Sequence, residues 1–321
     1  MLLAVLMLPA HATMAADPLE LEATIALPNV KGRIDHLAVD LKRVRLFVAE
    51  LGNGSVDVID LRSHRTIQRI SGLEEPQGIA YAPEPDLVAV ATGGDGALNF
   101  YKGDGFASVG RIALGEDADN VHIDSKTGHF VVGYGAGALA VIDPGTRQKL
   151  AESKLPAHPE GFQLATDGRT AFVNLPDAKE IAVVDLSANR LKDAWNVPSL
   201  TANFPLAVSA NGDLVASVFR NPARLVLLNA SSGNIAEQLD TCGDADDVFF
   251  DGKRSRIYVS CGAGVLDVFQ QQATGTRRLA QITTGAGART SLFVPELDRL
   301  FVAVRADASG DAKVLVFKPV Q

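Results

Sequence analysis

Residues 35–39 read DHLAV, and this short stretch returns six more times along the chain in recognisable form. Most copies open on a polar residue and carry apolar residues at their third and fifth positions. The copies begin at Asp35, Gln77, Asp119, Glu160, Phe204, Asp246 and Arg289. The intervals between these first residues are 42, 42, 41, 44, 42 and 43. A repeat of about 42 residues is typical of the blades of a β-propeller.

A second periodic column supports the repeat. Thirteen residues after the start of each copy stand Val48, Val90, Val132, Val173, Ser217, Val259 and Val302. Each lies in a short β-type run, and further runs follow, so each repeat is predicted to hold four strands. Small four-stranded units bury their faces only against neighbours, and a closed ring leaves no end repeat exposed. The sequence therefore predicts an all-β fold, a seven-bladed β-propeller.

The ring also needs a closure, because the seventh repeat stops one strand short. Residues 24–28 near the amino terminus (TIALP) resemble residues 111–115 (RIALG), the last strand of the second repeat. We therefore expect an N-terminal strand to complete the last blade.

Composition excludes several classes of function. The 321 residues are 47% hydrophobic and 21% charged, enough apolar material for a large core. The formal charge of −8 disfavours binding to nucleic acid or to an anionic membrane. No stretch approaches the ~20 apolar residues of a membrane span. We expect a monomer with no nucleic-acid partner.

The amino terminus has the features of a targeting segment. Residues 1–16 carry no Asp, Glu, Lys or Arg, and an apolar run ends there at Pro9 and several small residues. This pattern is typical of a secretory signal peptide, so residues 1–16 are predicted to be removed and residues 17–321 to form the propeller. Cys242 and Cys261 are the only cysteines. In an exported chain they are either a disulfide or two buried thiols.

Two strand motifs resemble a known family. Residues 47–50 (FVAE) and 55–60 (SVDVID) are similar to the YVTN-repeat consensus, and the likeness recurs around residues 140–143 and 257–259. The resemblance to the YVTN family of β-propeller proteins implies a periplasmic or secreted propeller that acts as a binding or scaffold module. The chain lacks the Cys-x-x-Cys-His motif of the haem-binding relatives, and its Gly-rich loops precede no helix. We therefore expect neither haem nor nucleotide.

The first strand of each blade lines the central channel of a propeller, so the copies of DHLAV place polar residues around its mouth. The residues predicted to bind a ligand there are Asp35, His36, Gln77, Asp119, Asn120, Glu160, Asn203, Asp246, Asp247 and Arg289. His122 and Gln163 are further polar residues on these strands. Alternatively, the carboxylates bond loop backbone and bridge blades, and water fills the channel.

The acidic residues raise the question of a metal. Asp119, Glu160 and Asp246 are the candidate ligands of a divalent cation. Arg289 either neutralises these neighbours or binds a carboxylate of the ligand. The predicted function is recognition at the channel mouth of a small molecule, a cation or an exported protein partner. The alternative is a metal-dependent lactonase-type hydrolase, in which the cation polarises a carbonyl and activates water.

Overall fold

A computed structural model describes residues 17–308 and 310–321. The predicted signal peptide, residues 1–16, lies outside the described residues. Within them the chain forms 28 strands in seven four-stranded antiparallel sheets, which confirms the predicted seven-bladed propeller. No helix of the described part is long and apolar enough to cross a membrane.

The blades follow one another along the chain, and each runs from an inner strand at the channel to an outer strand. Blade 1 contains β2 (Leu37–Asp40), β3 (Arg45–Glu50), β4 (Ser55–Asp60) and β5 (Arg65–Ser71), with a 3-10 turn at Leu51–Asn53. Blade 2 contains β6 (Pro76–Ala82), β7 (Leu87–Thr92), β8 (Ala97–Lys102) and β9 (Ser108–Ala113). Blade 3 contains β10 (Ala118–Ile123), β11 (Phe130–Tyr134), β12 (Ala138–Asp143) and β13 (Gln148–Lys154). Blade 4 contains β14 (Phe162–Leu164), β15 (Thr170–Leu175), β16 (Glu180–Asp185) and β17 (Arg190–Asn196).

The remaining blades keep the same order. Blade 5 contains β18 (Thr201–Val208), β19 (Leu214–Asn221), β20 (Ala223–Asn229) and β21 (Ile235–Asp240). Blade 6 contains β22 (Ala245–Asp251), β23 (Arg256–Cys261), β24 (Val265–Gln272) and β25 (Gly275–Thr283). Blade 7 contains β26 (Ser291–Val294), β27 (Arg299–Val304), β28 (Lys313–Pro319) and β1 (Leu19–Ala26).

The last blade closes the ring with the amino-terminal strand. β1 runs antiparallel to β28, with Leu19 opposite Pro319 and Ile25 opposite Val314. Leu19 and Ile25 are buried there. The predicted N-terminal closure is therefore confirmed.

The core lies between blades. All seven residues of the Val48 column are fully buried in the second strands. One apolar cluster joins Phe47 and Val58 of blade 1 to Ile79 and Val90 of blade 2. Removing such side chains from water stabilises the fold by roughly 25 cal/mol per Å² of apolar surface. Because each cluster needs both blades, the ring is the stable unit.

The inner strands approach each other closely around the channel. A Cβ atom at Gly78 would lie 2.0 Å from the backbone oxygen of Asp119, and one at Gly161 would lie 2.3 Å from that of Phe204. The Gly161 N–H donates to the same Phe204 oxygen at 3.1 Å. These glycines allow neighbouring blades to bring the starts of their inner strands together.

A disulfide joins Cys242, in the loop before β22, to Cys261, at the end of β23, with the two Cα atoms 5.9 Å apart. Of the two states considered from the sequence, the structure therefore contains the disulfide. The bond fixes the loop that leads into the inner strand of blade 6.

Candidate ligand-binding channel

The starts of the inner strands meet around one small void at the channel mouth. Gly161 and eight residues with side chains line it, and we call these eight the mouth cluster: Arg33, Asp35, His36, Asp119, Asn120, Glu160, Phe204 and Asp246. Six of the ten residues predicted to bind a ligand belong to it. The void measures about 20 Å³, and a single water needs roughly 10–15 Å³. The mouth cluster therefore has room for about one water and none for an organic ligand.

Two arginines form ion pairs with the carboxylate of Asp246. The Arg220 Nη2 lies 2.5 Å from one oxygen, and the Arg289 Nε lies 2.9 Å from the other. Arg289 also pairs with Asp244 at 2.9 Å. Arg220 and Arg289 come from blade 5 and from the loop before blade 7, so these contacts tie three blades together. Of the two roles considered for Arg289, its contacts are those of a residue that neutralises acidic neighbours.

The remaining carboxyls of the mouth cluster have fewer partners. Asp35 accepts a hydrogen bond from the Arg33 Nη2 at 2.9 Å. Within the described residues Glu160 accepts no hydrogen bond. Burial raises the pKa of Glu160 to about 7, and the negative charge of Asp119 adds to the rise. Burial also raises the pKa of Asp35 to about 6.

His158 connects blade 4 to blade 3 beside the mouth cluster. Its Nδ1 lies 2.6 Å from the backbone oxygen of Gly135, and its Nε2 lies 3.7 Å from Asp117 and 4.0 Å from Asp119. Burial opposes the charged form, but the nearby carboxylates of Asp119 and Asp117 and the hydrogen bond with the Gly135 backbone outweigh it and raise the pKa of His158 to about 9. The imidazolium is therefore a further internal cation at the mouth.

Four predicted residues lie outside the mouth cluster. The Gln77 Nε2 donates to Asp117 at 3.0 Å. Asn203 is fully buried, and its amide donates to Asn174 at 3.0 Å and to the backbone oxygen of Glu180 at 2.9 Å, which joins blades 4 and 5. Arg289 contacts the cluster from its edge, as described above. Asp247 lies deeper, on the wall of the channel.

The arrangement gives the metal hypothesis no support. Among residues 17–308 and 310–321, no group of three or more His, Cys, Asp or Glu side chains is arranged to hold a metal ion. Asp119, Glu160 and Asp246 do line the same void, but arginines engage both oxygens of Asp246. The cation site, and the hydrolase that depends on it, stay predictions.

Below the mouth cluster the channel widens into a cavity of about 280 Å³, which the inner strands of all seven blades line. Its apolar walls include Leu37, Val39, Ile79, Val121, Phe162, Leu206, Phe249 and Leu292. Its polar side chains, apart from Asp246 and Tyr81, are His36, Asn120, His122, Gln163, Asp247 and Ser291. A mostly apolar cavity with a few convergent polar groups is the usual form of a small-molecule site.

Three of these polar side chains are unpaired. Asn120, His122 and Gln163 form no side-chain hydrogen bond with any described residue, and Asn120 is only 8% exposed. His122 packs edge-on against the ring of Phe162, with the centroids 4.6 Å apart. Burial, with the nearby charge of His36, lowers the pKa of His122 to about 4, so its imidazole is neutral at pH 7. Because His122 and Gln163 are only half-buried, these side chains keep hydrogen-bonding capacity for a bound molecule or for water.

The opposite wall carries the one carboxyl deep in the cavity. Asp247 accepts a hydrogen bond from the Ser291 N–H at 2.6 Å through Oδ2. Burial raises the pKa of Asp247 to about 8, opposed by the positive charge of His36. Burial also disfavours the imidazolium of His36, but the charges of Asp35 and Asp247 outweigh it and raise its pKa to about 9. The cavity therefore places an acid, two imidazoles and two amides around an apolar space.

The arginine partners of the mouth were not found from the sequence. Arg220 stands three residues after Ser217, where five of the other six repeats carry Leu, Gly or Pro. A cation near the end of the second strand, where five of the other six repeats are uncharged, was the available signal. Arg33 stands in a loop, where the residue type alone does not show its direction.

Comparison with known proteins supports the architecture. The chain is similar to a structure of hydrazine synthase from Kuenenia stuttgartiensis, with a TM-score of 0.77 and 14% identity over 89% of this chain and 97% of that chain. It is also similar to a chain in the crystal structure of a mitotic checkpoint complex, with a TM-score of 0.80 and 13% identity over 100% of this chain and 99% of that chain. At such identity the likeness shows the fold alone. No family model and no curated protein matches the chain, so membership of the YVTN family stays a prediction.

Proposed function

We propose that this chain is a binding protein whose central channel holds a small organic molecule. The observation that carries the proposal is the set of unpaired side chains, Asn120, His122 and Gln163, on the wall of a cavity of about 280 Å³. Asn120 is nearly buried, and His122 and Gln163 are half-buried on the channel wall. Their polar groups therefore remain available to the cavity, and a bound molecule can pair with them in place of water.

The geometry favours the channel wall over the mouth cluster as the place of binding. Arg33, Arg220 and Arg289 already neutralise carboxylates at the mouth. The void that they leave there is about 20 Å³, against about 280 Å³ below. The mouth cluster thus acts as a polar cap on the cavity.

The proposal includes export of the protein to the periplasm or the medium. The support is the pattern of residues 1–16 together with the disulfide between Cys242 and Cys261, because disulfides persist mainly in oxidising compartments. Expression of the full chain in a bacterial host, followed by mass measurement of the periplasmic fraction, tests this point. Loss of residues 1–12 or 1–16 supports export, and an uncleaved cytoplasmic chain contradicts it.

Filling the cavity tests the binding function. Leu292 is half-buried on the channel wall, so Leu292→Trp should occupy the space of the ligand. Ile67→Trp is the matched control, because Ile67 is exposed on the outermost strand of blade 1. Ligand-observed NMR with a panel of uncharged small molecules should find compounds that bind the wild type and the control and fail to bind Leu292→Trp. Equal binding to all three proteins, or no binding to the wild type, would overturn the proposal.

A further inference from the structure

We infer that the channel takes an uncharged, flat heterocycle that has an amide-type edge on one side and an N–H group on the other. An amide-type edge is a ring N–H beside a ring C=O. The inference rests on the proposed function and adds the chemical class of the ligand. Its basis is that two unpaired amides lie across one apolar cavity from a carboxyl group that has only one oxygen hydrogen-bonded.

The amide side of the cavity comes from two neighbouring blades. Asn120 belongs to β10 of blade 3, and Gln163 belongs to β14 of blade 4. A primary amide presents a donor and an acceptor in one plane. A ring N–H beside a ring C=O presents the complementary pair, so two parallel hydrogen bonds can form, as they do between such side chains and the edges of nucleobases. Neither amide is engaged elsewhere in the described residues.

The acidic side lies across the ring of blades. Asp247 belongs to β22 of blade 6, and Ser291 begins β26 of blade 7. The Ser291 N–H engages the Oδ2 of Asp247, and no described residue donates to the Oδ1. The Ser291 hydroxyl is bonded to the Ser260 hydroxyl at 2.6 Å. The Oδ1 of Asp247 is therefore free to accept a hydrogen bond from the far side of the ligand once the carboxyl is ionised, and the neighbouring imidazolium of His36 favours that ionised form.

The walls and charges disfavour other classes of ligand. A polyol would leave hydroxyls unpaired against Leu37, Val121 and Leu206, which is costly in an apolar space. An anion would meet the carboxyls of Asp247 and Asp35. A cation would meet the imidazolium of His36, whose charge those carboxyls stabilise. A neutral ring with apolar faces and polar edges has none of these conflicts.

The size of the cavity sets the size of the ring system. Ligand pockets usually measure about 300–1,000 Å³, and this cavity of about 280 Å³ lies just below that range. One ring or two fused rings therefore fit, and larger substituents do not. Uracil is a suitable probe, since it carries N3–H between two carbonyls and N1–H on the other side.

Calorimetry with matched probes tests the inference on the full mature chain. At a pH above the pKa of about 8 of Asp247, uracil should bind, and 1-methyluracil should bind at least about tenfold more weakly because it lacks the second N–H, a loss typical of a hydrogen bond to a charged group. Asn120→Leu should also weaken uracil binding at least about tenfold. Asn234→Leu, at an exposed turn, should leave it unchanged. If Asn120→Leu does not fold, Gln163→Leu replaces it.

The outcomes separate the ligand class from the proposed function. Binding of cis-1,2-cyclohexanediol but not uracil, lost in Leu292→Trp, would overturn the heterocycle class and leave the channel as a binding site. Equal affinity for uracil and 1-methyluracil would overturn the role of Asp247. Failure of the heterocycles and of every other uncharged probe to bind would overturn the inference and the proposed function together.

Discussion

Acidic residues lie towards both ends of the inner strands, and the two ends differ in how their carboxyl groups are paired. On the face away from the mouth cluster, carboxylates and arginines form two repeated sets that we call the rim bridges. They are Asp40, Arg43 and Asp86 between blades 1 and 2, and Asp251, Arg254 and Asp298 between blades 6 and 7.

In each rim bridge one arginine holds two carboxylates from neighbouring blades. Arg43 pairs with Asp86 at 2.7 Å, and Arg254 pairs with Asp298 at 2.7 Å. Each arginine also binds the aspartate three residues before it. Hydrogen bonds from Arg43 and Arg254 hold the pKa values of Asp86 and Asp298 below their usual range. The charges of the two rim bridges thus hold neighbouring blades together.

In the channel the pKa values of the carboxyl groups shift in the opposite direction. Burial, rather than an arginine, dominates there and raises the pKa values of Glu160 and Asp247. The neighbouring amides are left without partners. Perturbed carboxyls with unused hydrogen-bonding groups are typical of functional sites, whereas fully paired ones are typical of scaffolds. The comparison therefore separates the part of the propeller that stabilises from the part that binds.

Opening the ring should have the largest effect, because it removes both regions at once. Deletion of residues 19–26 leaves β28 with an unpaired edge and exposes the core that Leu19 and Ile25 cover. An exposed edge and apolar face promote aggregation. We expect an insoluble protein or one without a cooperative thermal transition. A soluble variant with the wild-type melting temperature would contradict the account of closure.

Breaking one rim bridge should have the next largest effect. Arg254→Met leaves Asp251, which is 1% exposed, without its cation. Loss of one partner of a buried pair costs about 3–5 kcal/mol. Lys253→Met is the control, since Lys253 is exposed and pairs with the same Asp298; an exposed pair contributes at most about 1 kcal/mol. Urea unfolding measures both variants, and equal losses would refute the scaffold role of the rim.

Removing the disulfide tests how much this bond stabilises the fold on the mouth side of blade 6. The bond between Cys242 and Cys261 closes a loop with a sequence separation of 19, for which the chain-entropy model gives about 3 kcal/mol. The double variant Cys242→Ala, Cys261→Ala should lose about that much free energy of unfolding. Reduction of the wild type should reproduce the loss. A wild type that is unaffected by reductant, with two titratable thiols when denatured, would show that the bond is absent.

The smallest predicted effect concerns pH. The pKa of Asp247 is about 8 in the fold and about 4 in an unfolded chain, so the folded state binds the extra proton. Its contribution therefore reduces stability as pH rises from about 4 to 8. Asp247→Asn removes that contribution and should gain stability relative to the wild type between pH 5 and pH 9. A gain of about 1 kcal/mol in the free energy of unfolding, equivalent to a shift of one pKa unit, is large enough to detect this effect.

Asp298→Asn, the control at the rim, should change the stability in the opposite direction. The lowered pKa of Asp298 gives stability that is present above the unfolded pKa of about 4 and is lost as pH falls through the folded pKa. Asp298→Asn should therefore lie below the wild type by a constant amount from pH 5 to pH 9. Parallel stability profiles for Asp247→Asn and Asp298→Asn would remove the distinction between the two regions.

The sequence allowed the ring to be predicted more fully than the site. The Val48 column and the strand at residues 24–28 follow from periodicity, which the repeat imposes on every blade. The convergence of Asp35, Asp119, Glu160 and Asp246 follows from the same register. The direction of a single long or amide side chain does not follow from it: Asn203 turns between blades, and Arg220 reaches the mouth from a second strand.

A crystal structure of the mature protein soaked with a cocktail of small uncharged heterocycles, uracil included, tests the central claim most directly. The account predicts one ordered ring in the channel, with hydrogen bonds to at least one of Asn120, His122 and Gln163 and with Asp247 on its far side. The contradictory result is a channel that contains only separate waters bonded to these side chains in every soak. Such waters would make the cavity part of the scaffold.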